Sequence, residues 1–137
     1  KNYSVFCITS DGEHDEGQLW EAVMAAKKYK LDNLIVIVDR NNIQIDGYTK
    51  NIMPIAPLKD KYITFGWRVM TTNGHNLKQI ISTVKKAKAV KNKPTVIIAE
   101  TILGKGVRFM ENKYIWHGKT TNPKETEKAL EQLRNAI

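Results

Sequence analysis

Asp11 and Asn41 are the two residues whose types and settings could do chemistry together. Each follows an apolar run that reads as a strand, Ser4–Thr9 before Ser10-Asp11-Gly12 and Leu34–Asp39 before Arg40-Asn41-Asn42-Ile43. A hard divalent cation such as Mg²⁺ takes oxygen ligands in a near-octahedral shell, commonly one or two carboxylates completed by phosphate oxygens. Asp11 offers the carboxylate, Asn41 an amide oxygen, and the loop after Asn41 a backbone carbonyl. Ca²⁺ accepts the same oxygens, so the donor set does not choose between the two ions. Gly12 has no side chain to keep a phosphate oxygen from its N–H, and the start of the next helix adds a favourable dipole for an anion. Taken alone, Asp-Gly after a strand is a plain turn. A third candidate feature is the loop holding Gly104-Lys105-Gly106 and Trp116-His117-Gly118.

The elements that position these residues alternate strand and helix from end to end. Ser4–Thr9 reads as a short buried strand, with Cys7 a small core residue. Asp15 is placed to cap a helix whose apolar positions Leu19, Ala22, Val23 and Ala26 recur at helical spacing, with Trp20 and Met24 as packing residues. Leu34–Asp39 is a β-branched run of the kind buried on both faces of a parallel sheet. Asn41–Gly47 reads as a loop with Asp46-Gly47 as its turn, and Pro54 and Pro57 precede a short helix over roughly Leu58–Phe65. Trp67–Thr72 is a third strand, Asn73-Gly74 a turn, Leu77–Val90 a helix and Thr95–Thr101 a fourth strand. Residues 102–122 form a long loop, and loops of that length in a compact domain are usually functional. Pro123 opens a last amphipathic helix, Lys124–Ala136, anchored by Leu130 and Leu133. Such alternation predicts one α/β domain of three layers, a mainly parallel sheet with helices on both faces. Ligands of open α/β sheets bind beyond the carboxyl ends of the strands, where all three candidate features fall.

The chain has 137 residues, is 42% hydrophobic and carries a net charge of +8. That is enough for one domain with a core, and the interleaving of charged and apolar residues excludes disorder. Its dense basic run, Lys85, Lys86, Lys88, Lys91 and Lys93, reads as a solvated helix face. A nucleic-acid track would need aromatics interleaved with that run, and there are none, so no nucleic-acid partner is expected. No apolar stretch approaches the length that crosses a bilayer, so no membrane role is expected either. A single cysteine excludes an internal disulfide and suits a reducing, cytoplasmic setting. No His/Cys cluster has zinc spacing, and His14 and His75 read as surface residues in turns. The opening Lys1-Asn2-Tyr3, without an initiator Met, reads as the start of a domain excerpt or truncated product.

The wider sequence resembles transketolase, a thiamine-diphosphate enzyme. The resemblance rests on Asp11-Gly12-x-x-x-Glu16-Gly17-Gln18-x-Trp20-Glu21-Ala22, Leu31-Asp32-Asn33-Leu34, Asp39-x-Asn41-x-Ile43-x-Ile45-Asp46-Gly47 and Trp116-His117-Gly118. In this family a Gly-Asp-Gly is followed some thirty residues later by Asn; here 29 residues, Gly12–Arg40, separate Asp11 from Asn-Asn, and Ser10 stands where the family has its first Gly. Pyruvate-dehydrogenase-type relatives lack the Ile-Asp-Gly after Asn. The match is nearest to the amino-terminal subunit of split transketolases. It implies that Asp11, the Asn41 side chain and the Ile43 carbonyl hold Mg²⁺ or Ca²⁺. Gly12 and His117 would contact the diphosphate of thiamine diphosphate, and His117, as a catalytic residue, would also face the sugar. Ile45 and Leu103 would pack near the thiazolium ring, and Glu16 and Glu21 would lie at a subunit interface. The implied reaction moves a two-carbon ketol unit from a ketose phosphate to an aldose phosphate. The family's activating glutamate comes from a pyrimidine-binding domain or subunit that nothing in this chain matches. Residues 1–137 are thus expected to be a partial diphosphate-binding domain, inactive alone, within a homo- or hetero-oligomer. The other reading is a noncatalytic binding or scaffold module that keeps the fold; thiamine diphosphate and Mg²⁺ would then give no heat on titration.

Overall fold

A computed structural model describes residues 3–135. Four strands, β1 (Val5–Ser10), β2 (Leu34–Arg40), β5 (Arg68–Asn73) and β6 (Thr95–Glu100), form one parallel sheet in the order β1-β2-β6-β5. Helix α1 (Gly17–Lys28) connects β1 to β2, and α4 (Leu77–Lys88) connects β5 to β6. The loop after β2 is a small hairpin, β3 (Ile43–Gln44) against β4 (Gly47–Tyr48), followed by α2 (Thr49–Ile52) and α3 (Leu58–Thr64). Helix α5 (Pro123–Arg134) ends the described chain; of the helix expected to Ala136, that last residue lies outside the described residues.

Alternation along the central strands splits the core in two. Val36 and Val38 of β2 and Val96 and Ile98 of β6 face Val23 and Ala26 of α1, Leu58 and Tyr62 of α3, and Trp67. Ile35 and Ile97 face the other way and pack on Ala87 of α4, with Val84 and Met70 beside them. Helices therefore cover both faces of a parallel sheet, and the three-layer α/β expectation is met.

The first strand departs from expectation. β1 lies at the sheet's edge, and Phe6 and Ile8 are 46% and 74% exposed. Register pairs Phe6 with Ile35 and Ile8 with Ile37, which sets both on the α4 face, where Ala87 and Val84 of α4 pack with Ile35, Ile97 and Met70. Cys7 is likewise exposed rather than a core residue. Met24 of α1 and the expected anchors Leu130 and Leu133 of α5 are also exposed. At the start of α5 Asn122 and Glu125 exchange backbone N–H bonds in a capping box, with Pro123 at the first helical position, and near its end the Gln132 side chain accepts the Arg108 N–H at 2.7 Å. Among the described residues no helix is long and apolar enough to cross a membrane.

Candidate metal and anion site at the strand tips

The tips of β1 and β2 converge because the strands are paired in register, Ser10 opposite Asp39, and the Asp11 N–H donates to the Asp39 carbonyl at 3.2 Å. Beyond that bond the chain closes a 3₁₀ turn, Gly12–Asp15, rather than starting the helix at once. Ser10 and Glu13 clamp the turn reciprocally: the Ser10 N–H donates to Glu13 Oε2 (2.6 Å) and the Glu13 N–H to Ser10 Oγ (3.2 Å). Ser10 thus spends an oxygen lone pair on its own turn.

Asp11 is fully buried. Its Oδ2 accepts the Asn42 N–H at 2.6 Å, and its Oδ1 has no partner. Burial pushes the carboxyl above the ordinary value of 3.8, opposed by the N–H groups of Asn42 and Gly12. The charge of Asp39 adds to the rise, and that of Arg40 opposes it. Asn41 is 9% exposed, and its Oδ1 accepts the Ile43 N–H at 2.9 Å, leaving one lone pair on that oxygen. Asn42 makes the turn possible with φ of +63°, a conformation Asn tolerates better than most residues. Its carbonyl then accepts the Thr49 N–H, closing the hairpin over the tip. Asp11 is therefore tied to the turn that carries Asn41 and Ile43, and one oxygen of its carboxyl is left buried and unpartnered.

That open oxygen suits a hard cation. Among the described residues there is no group of three or more His, Cys, Asp or Glu side chains that could hold a metal. The oxygen set expected here has one carboxylate only, its other donors being amide and carbonyl oxygens of the type Mg²⁺ and Ca²⁺ accept. Gly12 lies beside Gln44, whose Oε1 is 3.1 Å from where a Gly12 Cβ would stand. Gln44 Nε2 is buried and has no partner.

The remaining expected residues are spread around this tip. Ile45 is 70% exposed at the end of the hairpin. Leu103 is half-buried, and its carbonyl accepts the Asn112 N–H. His117 is exposed on a 3₁₀ turn, Tyr114–His117, that packs against β3 and β4. Tyr48 joins them: its hydroxyl donates to the Asn112 carbonyl, and its ring meets Tyr114 edge-on at 5.6 Å. Glu16 and Glu21 are exposed at the start of α1.

Two histidines do more than a turn position suggests. His14 is buried, not a surface residue. Its Nδ1 lies 2.9 Å from the Ser10 carbonyl, which can only accept, so Nδ1 carries the proton and Nε2 accepts from the Tyr62 hydroxyl at 3.0 Å. Burial holds His14 below the ordinary histidine value and pushes the Tyr62 hydroxyl up. Trp20 completes the cluster, donating to the His14 carbonyl and packing on Tyr62 and Phe65. His75 is exposed, as expected of a turn, but its Nε2 accepts the Ile102 N–H at 2.7 Å and so ties the β5–α4 turn to the loop of Leu103.

The family model for the transketolase thiamine diphosphate binding domain matches residues 1–135. The 6-deoxy-6-sulfo-D-fructose transketolase subunit SqwG of Clostridium sp. (strain MSTE9) is 44% identical over 130 residues, covering 95% of this chain and 47% of the relative. An apulose-4-phosphate transketolase subunit of Phocaeicola vulgatus is 37% identical over 136 residues, covering 99% of this chain and 48% of the relative. The chain thus spans about half the length of the curated relatives it matches. Among solved structures, transketolase from Campylobacter jejuni superposes with a TM-score of 0.89 at 33% identity, over 97% of this chain and 21% of that one. The chain belongs to the transketolase family, in its amino-terminal thiamine diphosphate binding domain.

Proposed function

We propose that this chain supplies the metal- and diphosphate-binding half of a transketolase that moves a two-carbon ketol unit from a ketose phosphate to an aldose phosphate. Asp11, the Asn41 amide oxygen and the Ile43 carbonyl would hold Mg²⁺ or Ca²⁺. The Gly12 N–H and His117 would receive the diphosphate of thiamine diphosphate, which supplies the nucleophilic carbon when bound. The chain's own residues do positional work. Asp11 contributes a buried charge, Ile45 and Leu103 an apolar wall that keeps water from the ring, and His117 a hydrogen-bonding group at the sugar. Glu16 and Glu21, exposed at the start of α1, would face another subunit. The activating glutamate would come from a pyrimidine-binding domain or subunit. Two of the relatives are themselves called subunits, which supports a divided enzyme. The setting is cytoplasmic and reducing, where the exposed Cys7 thiol stays free.

The observation that carries this reading is the Asp11 carboxylate: fully buried, one oxygen on the second strand's tip and the other unpartnered. Calorimetric titration with thiamine diphosphate and Mg²⁺ tests it. The chain is expected to release or absorb heat saturably, more strongly with a pyrimidine-domain partner present, and Asp11→Ala is expected to abolish the signal. The chain alone is expected to show no ketol transfer. Absence of heat under both conditions contradicts the metal and diphosphate site, and turnover by the isolated chain contradicts its being half an active site.

A further inference from the structure

We infer that Gln44 is a diphosphate-binding residue, its unpartnered side-chain N–H the donor for an anion oxygen bound at the strand tips beside Gly12. The inference rests on the site reading above and extends it to a residue that sequence spacing did not single out. Gln44 follows Ile43 in β3 and pairs with Gly47 across the hairpin, so its backbone is fixed on the strand tip. Its side chain lies across Gly12: Oε1 and Cβ are 3.1 and 3.2 Å from the position a Gly12 Cβ would take. A side chain at position 12 would therefore press on Gln44.

The chemical argument is the complementarity of two unmet needs. Gln44 Nε2 is a buried donor with no acceptor, and Asp11 Oδ1, one residue before Gly12, is a buried acceptor with no donor. Buried polar groups are nearly always paired, so an unpaired donor and an unpaired acceptor close together call for an explanation. These two are not paired with each other. A cation satisfies the carboxylate oxygen, an anion oxygen satisfies the carboxamide N–H, and a divalent ion bound to a polyphosphate brings both at once. A carboxamide is suited to this, since it gives the anion a donor without a second positive charge beside the metal.

Proton–nitrogen NMR of the chain, titrated with Mg²⁺ and inorganic pyrophosphate, tests the assignment. The Gln44 side-chain NH₂ signals are expected to shift when both are present and to stay in place with Mg²⁺ alone. A sugar monophosphate at equal concentration is expected to leave them unmoved; a shift with the monophosphate and not with pyrophosphate overturns the assignment. Gln44→Met, which keeps the length and removes the donor, is expected to weaken Mg²⁺–pyrophosphate binding about tenfold, the loss of a hydrogen bond to a charged group. Its Tm is expected not to fall, because the lost group had no partner. If Gln44→Met does not fold, the wild-type NH₂ shift decides alone. Binding by wild type and Gln44→Met within about twofold, with the NH₂ signals unmoved, removes Gln44 and leaves the site reading standing. No saturable response of wild type to Mg²⁺ and pyrophosphate overturns the site reading and Gln44 with it.

Discussion

A carboxylate sealed from water with one oxygen unpaired is costly, by about 1–3 kcal/mol for an unsatisfied buried group and more for a charged one. At Asp11 that cost accompanies a turn built around the residue, with the Asn42 N–H from the second strand's tip on its other oxygen. Asp11→Asn keeps the shape and loses the charge. It is expected to weaken Mg²⁺ binding more than about tenfold, while the urea midpoint of the metal-free chain does not drop. A lower midpoint with unchanged metal affinity would make Asp11 structural. His14 gives a pH dependence of definite sign. Its folded value lies below the ordinary 6.5 because burial disfavours the charged ring, although the Ser10 and Asp11 carbonyls and the nearby Glu13 and Asp15 oppose this. Below about pH 6.5 the unfolded chain therefore binds more protons than the folded one, and stability falls as pH drops from there. The slope from one such group is at most about 1.4 kcal/mol per pH unit. Urea midpoints at about pH 7 and about pH 5 are expected to diverge less in His14→Leu than in wild type; equal divergence would refute the role of the ring. That the tips of the first two strands meet, with Asp11 against the turn that follows Asn41, was legible from residue types and spacing. His14 was not, because its partner Tyr62 is 48 residues away and a turn position reads as surface. Gln44 was not legible either, since its signal is a missing partner that exists only in three dimensions.

At the scale of elements, the site depends on how turns dock on the sheet. The turn between β5 and α4 presses its backbone against the end of β6: the Gly74 N–H donates to the Glu100 carbonyl at 2.8 Å, and an added Cβ would collide with Thr101 Cγ2. Thr101 is not free to move aside, because its hydroxyl donates to Asp39 and its N–H to the Arg40 carbonyl. Gly74→Ala is expected to cost about 1–3 kcal/mol, as overpacking does, and to lower the urea midpoint. An unchanged midpoint would show that the turn lifts away without consequence. Strand and helix order was readable because β-branched runs and apolar spacing at period 3.6 are local signals. The hairpin of β3 and β4 was hidden in an expected loop, since two-residue strands carry no periodicity. The separate 3₁₀ turn before α1 was also hidden: Asp15 looks like a cap, whereas the helix starts at Gly17.

At the scale of the molecule, the unsettled surface is the outer edge of β1. An open edge strand with exposed Val5, Phe6 and Ile8 invites pairing or apolar contact with another surface. The chain alone is expected to self-associate with rising concentration in light scattering, and Ile8→Lys to shift it toward monomer; a clean monomer of wild type at high concentration contradicts this. Which strand lies at an edge was not legible, because an apolar run such as Val5–Thr9 looks the same whether both its faces are covered or one is bare. Membership of the family and the three-layer architecture, by contrast, were both readable. The claim on which the rest depends is that one divalent ion sits between the first two strand tips. Titrating the chain with Mn²⁺ in the presence of thiamine diphosphate tests this most directly, because the paramagnetic ion broadens NMR signals of the residues around it. The account predicts selective loss of the Asp11, Gly12, Asn41 and Ile43 amide signals, with Asp11→Asn restoring them. Broadening centred elsewhere, as on the acidic side chains Glu127 and Glu131 of α5, with the strand tips unaffected, would contradict it.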